Sequence, residues 1–199
     1  MQTRLCSIGG TLLNDRLSTL STTANVWVFG YGSLIWRPDF PFAQRKRARI
    51  DGWSRRFWQG SHDHRGTADA PGRVVTLVAT PDAYCDGVAY LVDDAVFEHL
   101  DHREKNGYER NDVELRFARD RARGVVYIAH RSNHAFLGEA PIERIALQIQ
   151  NSRGPSGSNR EYLYELAAAL RNLDADDPHV FELESHVRAL EADGHQPAA

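Results

Sequence analysis

The feature that most constrains this chain is a change of hydrophobic period near residue 140. Before it, apolar residues fall in short strand-like runs: "VWVF" (26–29), "WSRRFWQ" (53–59), "RVVTLVA" (73–79), "CDGVAYLV" (85–92), "DVELRFA" (112–118) and "RGVVYIAH" (123–130). Pro71-Gly72 and Pro81-Asp82 punctuate them as turn signals. After it the period is helical. Pro141 suits a first helical position, and Ile142, Ile145, Ala146 and Ile149 share one face. Across the loop "GPSGSN" (154–159), Ser158 and Glu161 form a capping-box pattern ahead of Leu163, Leu166, Ala167 and Leu170. A last helix begins near Asp177-Pro178 and carries Val180, Leu183, Val187 and Leu190. Strands first and helices after predict an α+β fold, a small curved or closed β-barrel flanked by helices.

Within the first run the pattern breaks oddly. "VWVFGYGSLIW" (26–36) reads as a strand buried on both faces, halted by Gly30-Tyr31-Gly32-Ser33 and resumed by Leu34-Ile35-Trp36. A glycine-flanked turn beside a core strand can turn its backbone N–H groups toward a concavity and hold an anion. The same residues are equally consistent with a plain turn or bulge.

Composition excludes several classes. The chain has 199 residues, 42% hydrophobic and 26% charged, enough for one sizeable core. A formal net charge of −3 provides no broad basic field for nucleic acid. Two cysteines, Cys6 and Cys85, make neither a disulfide framework nor a zinc knuckle, which fits a reducing compartment. No apolar run is of membrane-spanning length. Residues 1–25 are rich in Ser, Thr and Leu and contain a single acidic residue, Asp15, a pattern shared by transit peptides, disordered leaders and misassigned start codons. The expected organisation is a leader over 1–25, one domain over 26–192 and a frayed end over 193–199.

One helix interrupts the segregation. Between roughly 94 and 105, with Asp93 or Asp94 to cap it and Asn106-Gly107 to end it, Val96, Leu100 and Glu104 stand at i, i+4 and i+8. A carboxylate thus ends an apolar stripe near the negative end of the helix dipole. Both its position and its burial there would raise its pKa, as a general acid/base requires. A solvated ion pair with Arg103 or Lys105 explains the same residue without chemistry.

Other constellations are weaker. His62 with His64, His99 with His102, and His130 with His134 form pairs, but no H-E-x-x-H and no carboxylate-framed triad accompanies them. Ser33 is not in a G-x-S-x-G elbow, and "GYGS" lacks the Lys-Ser/Thr of a phosphate loop. Trp53, Arg55, Arg56, Phe57 and Trp58 mix aromatic and basic residues as a nucleic-acid platform does, but more simply as a strand with one buried and one exposed face.

"FGYGSLIW", "SRRFWQGS", "DHRG", "PGRVVTLV", "GVAYLV", "LDHREKNGY", "FLGEAPIERIALQI", "GPSGSNREYLYEL" and "LRNL" occur in this order. This ordered set, from about Val26 to about Leu190, resembles the ChaC-type γ-glutamylcyclotransferases that act on glutathione. The resemblance implies a mixed β-barrel with surrounding helices. It implies that Tyr31, Gly32, Ser33 and Leu34 form the substrate loop, whose amides hold the α-carboxylate of the γ-glutamyl group. It places the catalytic glutamate on Glu104 and offers Tyr108 and Tyr162 as further substrate contacts; Arg65-Gly66 falls in a family segment without an assigned role.

The implied reaction is closure of the substrate's α-amine onto its own γ-carbonyl, giving 5-oxoproline and Cys-Gly. One carboxylate serves as base and then acid, and no metal, nucleotide or other cofactor is called for. The implied setting is cytoplasmic, with glutathione as the partner and no nucleic acid, membrane or obligate protein partner. Three alternatives stay open: another γ-glutamyl substrate, a histidine-based metal hydrolase, and a non-catalytic module binding a γ-glutamyl or acidic peptide end.

Overall fold

The computed structural model describes residues 25–103 and 107–194. Five strands close into a barrel in the order β1-β3-β2-β4-β5: β1 (Asn25–Gly30), β2 (Gln44–Ser61), β3 (Gly72–Asp93), β4 (Tyr108–Arg116) and β5 (Arg121–Ala129). Helix α1 (Val96–Arg103) lies between β3 and β4; α2 (Ile142–Asn151), α3 (Asn159–Asn172) and α4 (Pro178–Ala192) follow the barrel. The short strands β6 (Arg153–Gly154) and β7 (Gly157–Ser158) form the hairpin between α2 and α3. The barrel is mixed, because β1 runs antiparallel to β3 and parallel to β5. The expected α+β barrel with flanking helices is the observed architecture.

Two strands differ from the sequence reading. The runs 73–79 and 85–92 belong to one strand, β3, which passes through Pro81. The turn signal at Pro81-Asp82 is instead absorbed by an irregularity. Asp51 pairs with Tyr84 and Trp53 with Ala79, and the bend is taken up by Gly52 (φ 80°) and Asp82 (φ 63°). Strand β2 begins nine residues ahead of the run 53–59, at Gln44. Its first half, "QRKRARI", is dominated by arginines, yet Ala48 and Ile50 alternate inward between exposed Arg47 and half-exposed Arg49. Its second half is buried on both faces, so the expected alternation fails there, as does a nucleic-acid platform: Arg55 is 2% exposed.

Helix starts follow their caps. Ser158 accepts from the Glu161 amide at 3.3 Å, and Asp177 accepts from the Val180 amide at 3.2 Å with Pro178 in the first turn. Pro141 caps α2, one position earlier than expected, without a side-chain bond. The buried faces of the three helices, including Ile149, Leu163, Leu166 and Leu183, pack as part of one core with the barrel. Val96 and Leu100 of α1 are buried as the stripe requires; Glu104, the next position on it, lies outside the described residues, as do residues 1–24 and 195–199.

Candidate active site

After β1 the chain turns through Gly30-Tyr31-Gly32 into a single 3-10 turn, Ser33–Ile35. The carbonyls from Tyr31 to Ile35 are all engaged by the protein. Tyr31 O accepts from Arg55 Nε at 2.7 Å, Leu34 O from the Tyr90 hydroxyl at 2.7 Å and Ile35 O from Arg45 at 3.2 Å. Gly32 O accepts from the Ile35 amide at 2.9 Å, and Ser33 O from the Trp36 and Arg37 amides at 3.2 and 2.8 Å. In a planar trans peptide the following N–H points opposite to the C=O. With the Tyr31 carbonyl turned inward to Arg55, the Gly32 N–H is therefore directed the other way.

The loop borders a pocket. Tyr31, Gly32, Ser33, Leu34, Tyr108 and Tyr162 all line one small chamber of about 60 Å³, together with Val75 and Tyr127. Three elements distant in sequence meet there: the loop, the start of β4 and the first turn of α3. Ser33, Tyr108 and Tyr162 also line an adjoining chamber of about 290 Å³, walled further by Trp36, Arg37, Ser61 and Arg65. The two form one cleft at the barrel mouth.

The cleft's side chains are firmly held. The Tyr31 hydroxyl donates to Tyr127 O at 2.8 Å and the Tyr108 hydroxyl to Val75 O at 3.1 Å. The Tyr162 ring packs edge-on against Trp36 and Phe57, with centroids 5.5 and 6.0 Å apart. Space at Gly32 is tight: a Cβ there would stand 3.0 Å from both the Tyr162 hydroxyl and Val75 Cγ2. The Tyr127 hydroxyl donates to Asp101 of α1 at 2.6 Å, which fastens the last turns of that helix to a strand of the pocket wall.

Two arginines carry positions the sequence reading left unassigned. Arg55 spans three remote segments, donating to Tyr31 O, to Asp86 O and to the Asp177 carboxylate. Burial opposes its charge, but the groups around it, Asp177 among them, hold its pKa above the ordinary value. Its only sequence signal is a charged pair inside an otherwise apolar strand. Arg65 lies in the cleft wall and donates through Nη1 to Ser158 O at 3.1 Å and Glu161 Oε2 at 3.0 Å. The Glu161 carboxylate thus bonds Arg65 instead of completing the capping box.

Other sequence candidates separate. Burial pushes the Cys85 thiol up to about 11, so it is no nucleophile at neutral pH. The predicted histidine pairs do not form a site: His64 meets Ser156 at 3.1 Å, His130 meets Asn111 at 3.2 Å and His99 stands 3.7 Å from Asp39, while His62 stacks on His134 with ring centroids 6.5 Å apart. Among the described residues, no cluster of three or more His, Cys, Asp or Glu side chains could hold a metal, and no helix is long and apolar enough to cross a membrane.

Comparison with known proteins gives the chain its family. A "γ-glutamylcyclotransferase 2-3" of Arabidopsis thaliana is 46% identical over 181 residues, covering 83% of this chain and 89% of that protein. A "glutathione-specific γ-glutamylcyclotransferase 1" of Danio rerio is 42% identical, covering 83% and 90%. The crystal structure of a yeast γ-glutamylcyclotransferase specific to glutathione superposes with a TM-score of 0.78 at 31% identity, over 83% of this chain and 96% of that one. The model of the family described as ChaC-like protein matches residues 26–190, and the chain belongs to that family.

Proposed function

We propose that this chain is a γ-glutamylcyclotransferase that cleaves glutathione to 5-oxoproline and Cys-Gly, with residues 26–192 as its single catalytic domain. One observation carries the reading: a loop whose carbonyls from Tyr31 to Ile35 are all bound by the protein lines one pocket, through Tyr31, Gly32, Ser33 and Leu34, with Tyr108 and Tyr162. Relatives of high coverage that bear this activity in their names support it. The composition, with few cysteines and no disulfide framework, favours a cytoplasmic setting.

In this reading the small chamber holds the γ-glutamyl end. The loop amides take its α-carboxylate as a nest takes an anion, and the folded conformer brings the α-amine onto the γ-carbonyl. Holding that near-attack arrangement accounts for up to ~7–11 kcal/mol of barrier. The adjoining chamber takes the cysteinylglycine portion. Among the described residues Arg37 makes no ion pair, and it is available to the glycine carboxylate.

Proton transfer falls to Glu104. As the amine nitrogen bonds the γ-carbon, its proton passes to the carboxylate. As the bond from the γ-carbon to the cysteine nitrogen breaks, the same proton passes to the leaving amine. Chain connectivity supports the assignment: Asp101 bonds the pocket residue Tyr127, and Tyr108, itself a pocket residue, is four residues beyond Glu104.

The test is mass spectrometry of the purified protein incubated with reduced glutathione. Equimolar 5-oxoproline and Cys-Gly are expected, with turnover by Glu104→Gln lower by on the order of 10²–10⁴. Intact glutathione alongside cyclisation of another γ-glutamyl amide would overturn the substrate. Near-normal turnover by Glu104→Gln would overturn the assigned base.

A further inference from the structure

A second cavity, of about 510 Å³, lies away from the cleft between the β3 start, the segment 137–140 and α2. Its floor holds Arg73, which is 6% exposed. The Arg73 guanidinium donates only to neutral acceptors: Nε to Gln148 Oε1 at 2.7 Å, and Nη1 to the carbonyls of Phe57 and Gly138, each at 3.0 Å. Nη2 has no partner among the described residues, and Arg73 makes no ion pair. A buried cation without a counter-charge is costly, and proteins ordinarily pair it.

The surroundings add to the imbalance. Arg144, exposed on α2, lines the same cavity and also makes no ion pair. Burial, and then the like charge of Arg144, lower the Arg73 pKa. The N-terminus of α2 adjoins at Pro141 with no side-chain cap; Glu143, the acidic residue of its first turn, is exposed and pairs with neither arginine. Glu139, the one carboxylate among the described lining residues, is exposed and pairs with neither arginine.

We propose that this cavity is an anion site for a phosphate-type oxyanion, held by Arg73 Nη2 from below and by Arg144 from the rim. A guanidinium presents N–H donors in a fork that matches two phosphate oxygens, and two converging arginines suit a group carrying more than one negative charge. The site is separate from the cleft in its residues and does not depend on the glutathione reading.

Titration calorimetry on the full chain tests it, with inorganic phosphate as the probe against chloride at matched ionic strength. Saturable phosphate binding is expected, with a melting temperature that rises with phosphate concentration. Arg144→Gln, at an exposed position, should fold normally and bind phosphate about tenfold more weakly. Glycerol phosphate as a second probe separates the sources: tighter binding assigns the site to phosphate esters, and equal or weaker binding to the free ion. Absence of saturable binding beyond that of chloride overturns the proposal, as does an unchanged phosphate affinity in a folded Arg144→Gln protein.

Discussion

Arg55 Nε donates to the carbonyl of Tyr31 at 2.7 Å, from a side chain 2% exposed beneath the loop that walls the pocket. The bond fixes the Tyr31–Gly32 peptide, polarises it, and sets the direction of the Gly32 N–H. Arg55→Lys keeps a charge but cannot reach Tyr31, Asp86 and Asp177 together. Its expected signature is a raised KM for glutathione with a smaller change in kcat, measured by steady-state kinetics. Arg55→Met leaves the Asp177 carboxylate unpaired and is expected to lose ~3–5 kcal/mol of stability in denaturant titration. Equal KM values for wild type and Arg55→Lys would mean that the loop does not need this arginine.

Gly32 is tested by adding the atoms its position excludes. Gly32→Val places a Cβ 3.0 Å from the Tyr162 hydroxyl and Val75 Cγ2, and its methyls reach further into the chamber. Losing a charge-assisted bond to the substrate carboxylate corresponds to ~1.5–3 kcal/mol, so KM should rise by roughly 10- to 100-fold. Circular dichroism should show the fold retained. Unchanged KM in the folded variant would remove the loop from the site.

How much of this was legible follows from how local each signal is. The loop after β1 is local: two glycines interrupting an apolar strand mark it, and Tyr31, Gly32, Ser33 and Leu34 do line the chamber. The caps at Ser158 and Asp177 are local too. Arg55 is not, because its acceptors lie 24, 31 and 122 residues away and nothing near it announces them. The continuity of β3 through Pro81 was hidden for a related reason: the register shift that accommodates the proline is made by Gly52 on the partner strand. In β2, exposed arginines masked the alternation of Ala48 and Ile50, since two inward residues suffice to seat a strand half.

His179 gives the fold a pH dependence. Its Nε2 accepts the Phe57 N–H at 3.1 Å, where β2 bulges, and burial followed by the charges of Arg56 and Arg55 lowers its pKa from 6.5 to about 4. The unfolded chain therefore takes up this proton before the folded one does. The contribution is complete above about pH 6.5, falls as pH drops from there towards 4, and is gone below it. Between pH 7 and 5 the expected loss is ~2 kcal/mol. Urea titrations at the two pH values should show it in wild type and show much less in His179→Gln, whose amide oxygen still accepts the Phe57 N–H. An identical pH dependence in the two proteins would contradict the assignment.

The intramolecular character of the reaction is tested most directly by running it in water enriched in oxygen-18. Cyclisation carries the γ-carbonyl oxygen of glutathione into the lactam of 5-oxoproline and consumes no water. The expected result is 5-oxoproline and Cys-Gly of unshifted mass at every time point. Glutamate carrying one oxygen-18 would contradict it and make the chain a hydrolase instead.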